Sequence, residues 1–95
     1  MDIDELKDKK YKYYCASISL KNTAIQLQNS IIYINSSKDN LEKSYQIDNM
    51  PIDDGNIKEI KQKIENTISF INNKAIPRLE NRIREITTEI ELQEI

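Results

Sequence analysis

The residues able to reverse a chain are gathered in one short stretch, Asp48-Asn49-Met50-Pro51-Ile52-Asp53-Asp54-Gly55-Asn56, and long helical patterns flank it on both sides. Gly55 is the only glycine, and Pro51 is one of two prolines. With so few other places to turn, this punctuation predicts an all-α fold, a long antiparallel hairpin of two helices. We expect one domain over residues 1–95, with helix one at about 4–46, a loop at about 47–56 and helix two at about 57–93. Two helices enclose a thin core for a chain of 95 residues, so assembly into a larger helical bundle is expected.

In helix one, Leu6, Tyr13, Leu20, Leu27, Ile34 and Leu41 recur at every seventh position, with Ala24, Ile31 and Tyr45 as companions. This is a heptad seam for packing against the other arm. Lys10, Ser17 and Lys38 occupy its weaker companion positions. A second apolar set, Tyr14, Ile18, Ile25 and Ile32, lies about 80 to 120° around the helix from Ala24 when each residue advances it by 100°. One partner helix covers one face. The second set is therefore expected to be an intermolecular interface, since contiguous exposed apolar surface marks association sites.

Helix two carries Ile57, Ile60, Ile64, Ile68, Ile71, Ala75, Leu79, Ile83, Ile86 and Ile90 on its stripe. Ile64, Ile68, Ile71 and Leu79 are expected to meet Leu20, Leu27, Ile34 and Leu41 in the seam. Ile57, Ile68, Leu79 and Ile90 are each eleven residues apart, which averages about 3.67 residues per turn and suits a nearly straight or slightly right-handed course. Asn56 followed by Glu59 has the spacing of a capping box, which would start the helix there. Pro77 falls inside the stripe, where it removes a backbone donor and crowds the carbonyl four residues earlier. The stripe stays in phase through Leu79, so a kink centred near Asn73 is expected, with the helix continuing beyond it.

Composition bears on function mainly by exclusion. Charged residues make up 32% of the chain, yet the net charge is only −2, so no long-range field draws in nucleic acid or an anionic membrane. The basic and aromatic run Lys7-Asp8-Lys9-Lys10-Tyr11-Lys12-Tyr13-Tyr14 could bind phosphates and stack bases, but Asp2, Asp4, Glu5 and Asp8 oppose it. There is no histidine, and Cys15 is the only cysteine, so the commonest general base, a thiolate zinc site and an internal disulfide are all missing. Asp53 and Asp54 beside Gly55 read as turn chemistry, without the ligand spacing of a calcium loop. Glu85, Glu89, Glu91 and Glu94 read as a solvated face. No nucleophile, base and oxyanion donor can be assembled from these residue types, so we expect no enzyme, no cofactor and no metal.

Met1 to Tyr14 has no apolar stretch of the kind a signal peptidase reads, and no run approaches the roughly 18 apolar residues of a membrane span. The expectation is a chain made in the cytoplasm, without membrane insertion, any export following a route independent of a signal peptide.

The run Lys12-Tyr13-Tyr14 leading into a heptad helix resembles small proteins of bacterial type VII secretion, as do Tyr45-Gln46-Ile47-Asp48 before an acidic glycine-containing loop and Ile76-Pro77-Arg78-Leu79 followed by Ile83, Ile86 and Ile90. The likeness is to the YwqH-like branch of the WXG superfamily, whose members often lie beside LXG toxins. It covers most of the chain. The chain has no tryptophan, and so lacks the Trp-x-Gly turn that names the superfamily. Phe70 is followed at the fourth position by Lys74, where the export motif has an acid. The resemblance thus implies a helper or targeting partner that pairs with itself or with the helical N-terminal domain of an LXG-type effector. Two other readings stand beside it: a structural coiled-coil scaffold subunit of a phage or cytoplasmic assembly, and a nucleic-acid-associated regulator.

Overall fold

The computed structural model describes residues 2–48 and 55–95. The chain is an all-α antiparallel hairpin, 74 × 15 × 14 Å in extent. Its first arm is α1, Ile3–Asp48, 46 residues free of glycine and proline. Its second arm runs through α2, Gly55–Phe70, a π-helical turn, Ile71–Ala75, and α3, Ile76–Glu94. Both arms are longer than the sequence bounds of 4–46 and 57–93, because the helical backbone extends further into the turn region. Residues 49–54, which carry most of the turn signals including Asp53 and Asp54, lie outside the described residues.

Asp2 caps α1. Its side-chain oxygen accepts from the Asp4 N–H at 2.7 Å, and its carbonyl accepts from the Leu6 N–H at 3.1 Å. Asp4 and Glu5 then place negative charge in the first turn, where the helix dipole favours it. Along the arms, Thr23, Ser30, Ser44, Thr67, Thr87 and Thr88 donate their hydroxyls to the carbonyl four residues earlier, which satisfies polar side chains inside helices. The helical backbone begins at Gly55, one residue before the expected cap at Asn56.

The core is a single seam in two clusters. Leu6 packs with Ile86 and Ile90, and Tyr13 lies against them; Ala24 packs with Ile71 and Ile76, flanked by Leu20 and Leu27. Early residues meet late ones, which is the antiparallel register. Ser17, a heptad before Ala24, is also buried, and among the described residues no buried side-chain nitrogen or oxygen lacks a partner. Toward the turn the seam loosens. No residue of α2 is buried: Ile64 and Ile68 are half-covered, and Ile60 is exposed. Ile34 is half-covered, and Leu41, expected in the seam, is exposed. The reason lies in its neighbours, since the companion position three residues earlier is filled by Lys38 in place of an Ala24 or an Ile31.

Pro77 does not break the second arm. The disturbance lies one turn earlier, as the π turn, with Asn73 at its middle and the Ile76 N–H donating to the Ile71 carbonyl five residues back. Phe70, Ala75 and Ile76 all keep right-handed helical dihedrals, and Pro77 falls in the first turn of α3, where its missing N–H is tolerated. The π turn also corrects the eleven-residue reading of the stripe. The covered positions form two heptad runs, Ile57-Ile64-Ile71 and Ile76-Ile83-Ile90, with Ile68, Leu79 and the fully buried Ile86 at companion positions, and the runs are joined by a step of five residues between buried Ile71 and buried Ile76. One extra residue in one wide turn keeps both runs on the seam. Ile76, absent from the sequence-derived stripe, is thereby a core residue, while Ala75 is only half-covered.

Candidate functional site

The hairpin leaves the second apolar set of α1 in water. Tyr14, Ile25 and Ile32 each keep more than half of their surface exposed, and Ile18 keeps 39%. The structure adds Tyr11, which the sequence reading passed over; it is exposed and stands one heptad before Ile18. Tyr11, Ile18, Ile25 and Ile32 thus form an unbroken heptad line of their own, with Tyr14 beside its start. The seven-residue spacing was there to be read, but the charged neighbours of Tyr11 obscured it.

This line lies beside open grooves between the two arms. Near the free ends, a groove of about 510 Å³ is walled by Tyr11 and Tyr14 from α1 and by Ile83, Thr87 and Ile90 from α3. Further along, a groove of about 450 Å³ is walled by Ala24, Ile25 and Gln28 from α1 and by Ile68 and Asn72 from the second arm. Lys7 reaches Glu94 at 3.3 Å, and Lys21 reaches Glu80 at 3.2 Å. These bridges tie arm to arm two heptads apart on each side, and each has a member lining one of the grooves. All four side chains are substantially exposed, so the bridges serve register more than stability.

Charge is distributed unevenly over this surface. From Tyr13 to Ser37 the sequence contains one charged residue, Lys21, in a chain that is 32% charged overall. Lys21 is the residue bridged to Glu80, so the middle of the line presents apolar and amide or hydroxyl groups. At its N-terminal end, a hydrogen bond to Cys15 pushes the Tyr11 hydroxyl above its usual ionisation range, with the charge of Cys15 acting in the same direction. Cys15 itself is half-buried and free of any disulfide.

The other sequence signals fall elsewhere. In the basic and aromatic run, Lys12 pairs with Asp8 at 2.9 Å and Lys7 with Glu94, so part of its positive charge is neutralised. On the opposite flank, Tyr13, Lys74, Pro77, Arg78, Leu79 and Arg82 line a shallow groove of about 620 Å³. Arg82 donates to Glu85 at 2.8 Å, and this bond holds its guanidinium above its usual range. Among the described residues, no group of three or more potential ligands could hold a metal ion, and the acids from Glu85 to Glu94 spread along α3 without converging. Among the same residues, no helix is long and apolar enough to cross a membrane.

Comparison with known proteins places the chain beside none of them: no family model, no curated protein and no solved structure matches it. What the fold and the surface define is a class, the long helical hairpin with a second heptad line left outside its own seam.

Proposed function

We propose that this chain is a non-enzymatic helical partner protein, a helper or targeting subunit of a type VII secretion system. It pairs through Tyr14, Ile18, Ile25 and Ile32 with itself or with the helical N-terminal domain of an LXG-type effector. The observation that carries the reading is the exposed heptad line on α1. Heptad spacing is the signature of a surface that another helix covers, and burying it yields roughly 25 cal/mol per Å² of apolar area. The secretion context rests on the sequence resemblance and on the apolar second face.

Co-expression with the products of neighbouring genes, followed by light scattering, tests this. A helper forms a closed complex of fixed mass. Growth of the assembly with concentration would instead assign the scaffold role, and salt-sensitive retention on DNA or RNA would assign the regulator role. Ile25→Lys is expected to leave the hairpin helical and to abolish the complex, because a charge in a desolvated apolar contact is costly. A variant that assembles as well as the wild type would remove these isoleucines from the interface.

A further inference from the structure

We infer that a second copy of this chain docks on the flank of α3, antiparallel to the first and related to it by a two-fold axis beside Asn81 and Arg82. This flank carries the shallow groove next to Tyr13 and shares no residue with the grooves beside the exposed line on α1. Lys74, Arg78 and Arg82 follow one another at four-residue steps and line the groove together. Glu85 lines it as well, and Glu89 stands four residues further along the same side of the helix, so the stripe continues with its charge reversed. Phe70, four residues before Lys74, and Leu92, three after Glu89, close the stripe at its two ends, 54% and 66% exposed. Arg82 and Glu85 pair with each other at 2.8 Å. Lys74, Arg78 and Glu89 are exposed and have no ion-pair partner among the described residues.

The order of these residues selects the occupant. The midpoint between Lys74 and Glu89 falls between Asn81 and Arg82, and so does the midpoint between Arg78 and Glu85; that between Phe70 and Leu92 falls at Asn81. A two-fold axis at this point sets Lys74 against the copy's Glu89 and Arg78 against the copy's Glu85, each contact occurring twice, with Phe70 beside Leu92 at both ends. A parallel pairing would instead set Lys74 against Lys74 and Glu89 against Glu89, and like charges brought together oppose it. The two Arg82 side chains come closest at the axis, where each is already met by its own Glu85. Glu85 can hold that bond and still accept from the copy's Arg78, because a carboxylate offers two oxygens. Exposed charge pairs set register more than affinity, so the contact is weak and salt-sensitive, and its two-fold symmetry closes it at two copies.

Sedimentation equilibrium of the full chain, over a range of concentration and salt, tests this. The expected result is a dimer that weakens as salt rises. Lys74→Glu and Glu89→Lys each place like charges across the axis twice, and each should weaken the dimer about tenfold. Both positions are exposed, so helicity by circular dichroism should not change. Mixing the two variants in equal amounts should restore association, as should both changes in one chain, since either arrangement again sets opposite charges across the axis. Small-angle scattering should give the dimer a maximum dimension of about 110 Å, because only the free-end halves of two 74 Å rods overlap. A chain that stays monomeric up to about 1 mM at low salt would overturn the inference, as would single variants that dimerise like wild type. Variants that mixing does not restore, or a dimer no longer than one rod, would overturn the antiparallel register. A dimer dissolved by Ile25→Lys and untouched by Lys74→Glu would move the second copy to the line on α1.

Discussion

The two ends of the hairpin are built from the same kinds of residues and packed differently. At the free ends, Leu6, Ile86 and Ile90 are closed in, and Ala24, Ile71 and Ile76 form a second buried cluster further along, with Ile31 also buried. On the side of the turn, α2 buries nothing fully, although Ile57, Ile60, Ile64 and Ile68 recur at helical spacing. The difference lies in what faces them. Ser17, Ala24 and Ile31 hold the companion positions of α1 in the tight half, and Lys38 and Tyr45 hold them in the loose half. Apolar spacing on one helix makes a core only where the other helix answers it.

That contrast can be broken most directly by truncation. Ile86→Ala, at a fully closed position, is expected to cost about 3 kcal/mol of unfolding free energy, and Ile64→Ala about 1 kcal/mol, because a half-covered side chain leaves less of a cavity. Equal losses in urea unfolding would erase the distinction. Native-state hydrogen exchange sharpens it: amides of α2 should exchange through local opening, while those around Ile86 should exchange only through global unfolding.

Next in size comes the role of the π turn. Deleting Asn73 in a Pro77→Ala background removes the extra residue and leaves Ile71 and Ile76 four apart, so stability should change by less than about 1 kcal/mol. Deleting Thr67 turns Ile57 and Ile64 away from the seam relative to Ile71, and should cost about 2 kcal/mol even in the loose half. If both deletions cost the same in thermal unfolding, the wide turn is not what keeps the two heptad runs in phase.

Smaller effects come from the surface. Lys21→Ala should lower stability by no more than about 0.5 kcal/mol, and the difference should shrink in high salt, as expected of an exposed bridge.

Much of the fold was legible because it depends on sparse, strong signals. A helix of 46 residues without glycine or proline has nothing to stop it, and Leu6, Leu20 and Leu27 declare the seam by spacing alone. The exposed line through Ile18, Ile25 and Ile32 was legible for the same reason. The π turn was not, because Ile57, Ile68, Leu79 and Ile90 fit an even eleven-residue repeat as well as they fit two heptad runs with one residue added between them. Average spacing cannot locate a local insertion, so Ile76 was missed. Leu41 was misplaced because a heptad letter specifies direction, and burial depends also on the opposing arm. Ile68 and Ile83 were assigned to the second arm's inner stripe, and only the packed pair of helices reveals that they border the outer grooves as well.

The shape of the hairpin has a consequence for how it behaves in a column. A compact domain of about this length has a radius of gyration near 13 Å. This rod has 21.4 Å. A single copy sweeps out the hydrodynamic volume of a much heavier globule and travels ahead of its mass, so an early elution peak by itself imitates a dimer.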